Sequence, residues 1–272
     1  MITADFHTHT HHSGDSDAAM DAMIESAISR GLRALCFTEH QDFDFPVTHE
    51  PEGTFDLDAE AYRTEYLSMR ERFSSQIDLY FGVELGLQPS CTEKNVQFVR
   101  AHDFDFVIGS VHIAKGRDPY HREYLEQMGT KQRAMAFYLD AMYENLTLFD
   151  DFDVLGHLDL ANRYWGTGNW RYDYEDHKER IDDILRLLIR KEKGLDCNTN
   201  LLWKSGADEM NPSNAILCRF HALGGRILTF GSDAHDPSHV ADAFEKARLL
   251  AKEAGFDQYC TFSGRRVQFH PL

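Results

Sequence analysis

The sequence predicts an α/β fold closed into a barrel, in one domain over residues 1–272. Three observations predict it: short apolar runs alternate with longer helical patterns, the alternation repeats seven times, and no linker or low-complexity stretch interrupts it. Strands alternating with helices argue for parallel βαβ units, and seven such units suit a closed or nearly closed barrel better than a small open sheet. A chain of 272 residues with 42% hydrophobic content can fill the core of such a barrel.

The elements follow in order. ITADF opens the chain as the first strand, and a helical pattern at about 17–30 stops at Gly31. RALCF (33–37) is the second strand, followed by a helix over 58–74 with Asp58 at its start. IDLYFGV (77–83) and FDFVI (104–108) flank a helix over 92–101 that starts at Thr92. A helix over 131–149, whose aromatics recur at helical spacing as core packing, leads to FDVL (152–155). Next come a helix over 175–193 with Gly194 as its stop, and LDC (195–197). A helix over 212–222, between Asn211 and Gly224, precedes RILTF (226–230), and a last helix over 238–253 ends before Gly255. Asp, Thr and Asn suit helix starts because their side chains accept free N–H groups, and Gly suits helix ends because it adopts a left-handed backbone. The longest irregular regions, 41–57, 114–129 and 163–174, all follow strands, where a barrel keeps its active-site loops.

Composition excludes several classes. The formal charge of −17, from 45 acidic against 28 basic residues, repels nucleic acid and anionic membranes. No apolar run approaches the ~18 residues of a membrane span, and too few residues precede the first strand for a signal peptide, so a cytoplasmic protein is expected. The five cysteines are scattered, with no CxxC pair, which suggests reduced, mostly buried thiols rather than a zinc ribbon or a disulfide framework. An anionic substrate would need concentrated positive charge in so acidic a chain, and metal ions supply it.

The strand ends carry the chemistry. After strand one comes His7-Thr8-His9, after two Thr38-Glu39-His40, after three Glu84, after four Gly109-Ser110-Val111-His112, after five Gly156-His157-Leu158-Asp159, and after seven Gly231-Ser232-Asp233-Ala234-His235. One histidine at a strand end is usually a structural hydrogen-bonding group. In a β/α barrel, however, the C-terminal strand ends meet at one mouth, so these residues become neighbours despite their separation in sequence. His7 and His9, two apart on a strand, share a face, and Asp233 and His235 are expected to repeat that geometry on the last strand. Imidazole with carboxylate and no cysteine is a ligand set for zinc, manganese or iron, and a cluster this rich has room for two or three divalent ions. The histidine-rich N-terminus therefore reads as a site rather than a tag. His11 and His12 have left the strand and have no partner motif, while His49, His102, His121, His177, His221, His239 and His270 fall on helices or peripheral loops and are not expected as ligands.

HTH, TEH, the lone Glu84, IGSVH, GHLD and GSDAH, in that order from His7 to about Glu245, resemble the PHP (polymerase and histidinol phosphatase) metal-dependent phosphoesterases. The stretches FVIGSVH, DDFDVLGHLDLANRYW and ALGGRILTFGSDAH are most similar to the monofunctional histidinol-phosphate phosphatase branch. The resemblance implies a distorted (β/α)7 TIM-like barrel. It implies three metals: one held by His7, His9, Glu84 and Asp233; a second, bridged by Glu84, on His112 and His157; a third on Asp15, His40 and His235, with Asp17 or His12 as substitutes for Asp15. Glu84, Asp233 and His235 would be catalytic, with Arg163 gripping two phosphate oxygens. Metal ions on either side of a phosphate would neutralise it and bring a bridging water toward a pKa of ~7 for in-line attack.

Around this set, Asn198 is a candidate for the pocket lining, and Asp159 either orients His157 through its other ring nitrogen or makes an ordinary buried hydrogen bond. Lys115 and Arg117 on the loop after His112 are further candidates for positive charge, although a solvated loop accounts for them better, and Trp165 and Trp170 read as loop packing before a cover for the substrate. The expected activity is hydrolysis of L-histidinol phosphate to L-histidinol and phosphate, in histidine biosynthesis. Alternatives are a nucleotide, another small phosphomonoester or phosphotyrosine as substrate, and, in a different class, a non-catalytic metal-binding protein.

Overall fold

The computed structural model describes residues 1–48, 50–164, 173–204 and 206–272, without the side chains of Arg122, Leu125, Asn162 and Arg163. Seven parallel strands form one sheet in chain order: β1 (Ala4–Thr8), β2 (Ala34–Gln41), β3 (Asp78–Gly86), β4 (Phe106–Ser110), β5 (Val154–Leu155), β6 (Gly194–Asn198) and β7 (Leu228–Gly231). Helices α1 (Met20–Ser29), α2 (Ala59–Arg72) and α3 (Thr92–Ala101) link the first four strands. A short α4 (Arg122–Met128) and a long α5 (Lys131–Leu148) precede β5, and α6 (Lys178–Arg190) precedes β6. Helices α7 (Asn200–Lys204) and α8 (Asn214–Ala222) lead to β7, and α9 (Phe244–Glu253) follows it. The result is the expected (β/α)7 barrel. Strands β1, β4, β6 and β7 are buried along their whole length, which is why they read as nearly continuous apolar runs.

Several element ends differ from expectation for local reasons. Asp58 caps α2 by accepting from Ala61 N at 3.0 Å. Thr92 is, as expected, the first residue of α3, though its hydroxyl donates to Pro89 O instead of accepting an N–H. Asn211 is not a helix start, because its backbone pairs with Asn198 and Ser213 takes the cap position of α8. Gly194 belongs to β6, and Glu192, at φ 57°, turns the chain out of α6. The last helix begins at Phe244 rather than near 238, because Ala241 and Ala243 both have left-handed backbones. Absent from the expected pattern is an antiparallel hairpin, β8 (Gln258–Ser263) with β9 (Arg266–Pro271). It docks at the N-terminal end of the barrel: Phe262 packs on Phe106, and Arg265 donates from Nε to Asp153 and from its backbone N to Asp105 O.

The barrel closes between β1 and the chain that leaves β7, through a few specific bonds rather than a ladder. Asp233 N donates to His7 O at 2.8 Å and His9 N to Ala234 O at 3.0 Å. Buried Asp5 reaches across the same seam, accepting from Ser232 N, Ser232 Oγ and Ala241 N. Burial lifts the Asp5 carboxyl to about 6 against the pull of these donors. Gly231 lets the two sides approach: a Cβ there would stand 2.1 Å from the Cβ of His7.

Candidate active site

The strand ends open into a cleft of about 960 Å³ whose walls include Asp15, His40, Glu84, His112, His157, Asp233 and His235. Glu84, at the end of β3, stands at its centre and is fully buried. The two carboxylate oxygens face different groups. Oε1 accepts from Ser110 Oγ at 2.6 Å and lies 2.8 Å from His157 Nε2 and 3.3 Å from His112 Nε2. Oε2 lies 3.1 Å from His7 Nε2, 3.5 Å from His9 Nε2 and 3.2 Å from His40 Nδ1. Asp233 Oδ1 lies 3.7 Å from His7 Nε2 and 3.5 Å from His9 Nε2. At the solvent side, Asp15 Oδ2 lies 3.2 Å from His235 Nε2 and 3.6 Å from His40 Nε2. The nine residues expected as metal ligands thus come together: seven line the cleft, and fully buried His7 and His9 reach the same Glu84 and Asp233 oxygens. Eight of them fall into four overlapping groups that share His7, His9, His40 and Glu84, and Asp15 joins through His40 and His235.

Carboxylates behind the histidines fix their tautomers. Asp196 Oδ2 stands 2.9 Å from His7 Nδ1 and Asp42 Oδ1 stands 2.8 Å from His112 Nδ1. With Nδ1–H donated outward, the Nε2 lone pair of each ring faces an oxygen of Glu84, an arrangement that needs a proton or a cation between them. His9 Nε2 and His235 Nε2 are buried and have no hydrogen-bond partner although they point at carboxylates. This donor set fits divalent metal ions: inward-facing imidazole nitrogens, converging carboxylates, and outer partners that hold the rings.

The electrostatics follow from burial and these contacts. Burial opposes protonation of His7, but Glu84, Asp233 and Asp196 outweigh it and raise its pKa well above the usual value. His112 rises in the same way under Asp42 and Glu84. Burial would raise Glu84, yet His7, His112 and His40 hold it well below the usual carboxylate range, and His40 and His235 do the same for Asp15. His9 is pushed down to about 3, first by burial and then by His235 and His40, so its nitrogen stays a neutral donor of a lone pair. His235, opposed by burial but favoured by Asp15 and Asp233, is raised to about 9.

Several expectations need correction. Asp233 lies beyond β7 with a left-handed backbone at φ 55°, so it and His235 reach the cleft through a turn and not as alternate residues of a strand. Asn198 is fully buried and donates to Asp233 Oδ2 at 3.0 Å, which makes it a support for that carboxylate and not part of the cleft wall. Lys115 pairs with Glu144 and packs on Phe137, and Arg117 stacks on the same ring, so both face α5 and neither lines the cleft. Asp159 engages Asn211 Nδ2 and Ser213 N, linking the chain after β5 to the start of α8. His12 stands beside Glu65, away from the cleft, and so does not replace Asp15. The Arg163 side chain, His49, Trp165 and Trp170 lie outside the described residues.

Other residues matter that the strand-end pattern does not single out. Asp196 is a charged residue in the middle of a buried strand, a signal readable in LDCN; Asp42 follows His40 by two. Glu39 accepts from Ser13 Oγ and Thr10, and Ser13 in turn holds His9 Nδ1 and His40 N. His121 and His239 line the cleft although they fall on peripheral segments, and Lys204 on α7 brings a cation to the wall. No helix among the described residues is long and apolar enough to cross a membrane.

Comparison with known proteins agrees with this geometry. Residues 5–200 match the PHP domain family. The chain is 32% identical over 267 residues to a histidinol-phosphatase of Lactococcus lactis, covering 98% of this chain and 97% of the relative. A solved structure, histidinol phosphate phosphatase from Lactococcus lactis complexed with zinc, L-histidinol and phosphate, superposes with a TM-score of 0.89 at 33% identity, covering 98% of both chains. A solved structure from Listeria monocytogenes, 20% identical, covers 89% of this chain and 98% of its own with a TM-score of 0.77, and speaks for the fold alone.

Proposed function

The chain belongs to the PHP domain family, and from that premise we propose that it is a divalent-metal-dependent phosphatase that hydrolyses L-histidinol phosphate to L-histidinol and phosphate. The observation that carries the substrate is the whole-chain similarity, at a third identical, to a phosphatase solved with zinc, L-histidinol and phosphate. The activity places the chain in histidine biosynthesis.

The residue roles are our reading of the cleft. Its donors suit three ions: His7, His9, Glu84 and Asp233 for the first, Glu84, His112 and His157 for the second, and Asp15, His40 and His235 for the third. Zinc is the ion the relative contains, and manganese and iron suit the same ligands. Bound dications supply the charge that neutralises a phosphate dianion and acidify the attacking water. The protein's part is to hold its donors in place. Glu84 stays anionic because three histidines surround it, and it spans two ion positions with one oxygen toward each. Asp196 and Asp42 keep His7 and His112 turned inward. Asp233, backed by Asn198, and His235, backed by Asp15, close the solvent side beside the reacting phosphate. Lys204, on the cleft wall, adds a cationic contact to the phosphate; for Arg163, whose side chain lies outside the described residues, the family resemblance alone assigns a two-pronged grip.

Steady-state kinetics with zinc or manganese tests the proposal. Turnover of L-histidinol phosphate should exceed that of p-nitrophenyl phosphate by a wide margin, and equal turnover of the two would remove the substrate assignment while leaving a phosphatase.

A further inference from the structure

We propose that His11, His12 and Glu65 form a separate binding site for a borderline divalent cation, zinc foremost, on the outer rim of the barrel. His11 and His12 lie on the loop between β1 and α1, and Glu65 lies on α2. None of the three lines the cleft. Glu65 Oε2 stands 3.2 Å from His11 Nε2 and 2.9 Å from His12 Nε2, and the three atoms lie within 4.8 Å of one another. In a tetrahedral zinc site with bonds of about 2.0–2.1 Å, neighbouring donors are about 3.3 Å apart, so each ring nitrogen already stands within a few tenths of an ångström of that distance from the carboxylate oxygen.

The hydrogen bonding of His11 argues for a cation. Its Nδ1 faces the Ala18 carbonyl oxygen at 3.4 Å and its Nε2 faces the Glu65 carboxylate at 3.2 Å. With Nδ1–H donated to Ala18 O, the Nε2 lone pair faces the Glu65 carboxylate, an arrangement that calls for a proton or a metal cation at Nε2. A cation at Nε2 resolves this, with Nδ1–H left to donate to Ala18. The site is also partly built in advance. His11 N donates to Ala18 O, the His12 ring packs near Tyr62, and the His12 side chain is only 11% exposed. His11, at 44% exposed, leaves a path for entry and a solvent-facing position for a fourth ligand. The ligand class follows from the donors: two imidazoles and a carboxylate prefer zinc, nickel or copper over magnesium or calcium.

An ion here would tie the loop that also carries His9 and Asp15 to helix α2. The inference is independent of the assigned substrate, because its test counts ions. Holoenzyme and its Glu65→Gln variant are titrated with zinc against a competing chelator, and bound ions are counted by elemental analysis. The wild type should take up one ion per chain more than the variant, or bind its weakest ion at least tenfold more tightly. With cobalt(II), it should show an absorption component that the variant lacks. Phosphatase kcat/KM should be the same in both, since the cleft is untouched. Equal stoichiometry and equal affinity would overturn the proposal. If Glu65→Gln fails to fold, His11→Ala, at an exposed ring, gives the same reading.

Discussion

Gly231→Ala is the sharpest single test of how the fold supports the site. A methyl group at this position would stand 2.1 Å from the Cβ of His7, 3.1 Å from its Cα and 3.2 Å from its Cγ. Carbon atoms do not approach below about 3.0 Å, so the two strands must part locally by about 0.9 Å or His7 must tilt away from Glu84 and Asp196. Neither is easy in a close-packed interior, and overpacking of this kind typically destabilises by about 1–3 kcal/mol. The effect on catalysis should be larger, because a shift of about 1 Å in a positioning group costs on the order of 100-fold in rate. The assay pairs kcat/KM for L-histidinol phosphate at saturating zinc with a thermal melt. A fall of about 100-fold in kcat/KM should accompany a drop in Tm of a few degrees. A folded variant within threefold of wild-type activity would refute the claim that close approach at the seam sets the position of His7.

Four further outcomes follow from the same geometry. Glu84→Gln removes the charge facing both ion positions, so bound metal per chain should fall and activity should vanish; full activity with unchanged metal content would overturn its central role. Asp196→Asn can no longer hold His7 by a charge-assisted bond, and zinc affinity measured against a chelator should fall by about 10- to 100-fold with little change in the melt. Arg163→Ala should mainly raise KM, by a factor equivalent to roughly 1.5–3 kcal/mol, and an unchanged KM would assign it to the surface. Asp182 is held down to about 2, first by its hydrogen bonds with Arg219 and further by Tyr174 and Arg186. Because its folded value lies below the unfolded 3.8, its stabilisation is present above pH ~4 and lost as pH falls through about 2; it amounts to on the order of 2 kcal/mol. Melts from pH 5 to 2 should show a smaller decline for Asp182→Asn than for wild type.

The sequence is most legible where chemistry and periodicity coincide. Apolar runs mark all seven barrel strands because most of each strand is buried, and the expected ligands after them gather around Glu84 at the mouth of the barrel. It is less legible where tertiary contacts decide. Nothing local distinguishes Lys204, which lines the cleft, from Lys115, which packs on Phe137; the difference is that α7 faces the mouth and the loop after β4 turns toward α5. The hairpin at the barrel's base is concealed by its turn: Gly264 and Arg265 both adopt positive φ, and arginine is not a residue that announces such a turn. Asp196 is a readable signal as a charge within a buried strand, but Asp42 reads as an ordinary loop acid until His112, just beyond β4, comes into place beside it.

The seam between β1 and the segment after β7 gives catalysis a place in the life of the chain. Ser232 and Asp5 are 227 residues apart, and the flanking positions on each side carry His7, His9, Asp233 and His235. A nascent or truncated chain that ends before this point can form most of the strands and still lack the residues that complete the cleft. Hydrolysis therefore requires that the two ends of the sheet have met, and recovered activity after unfolding reports that they have.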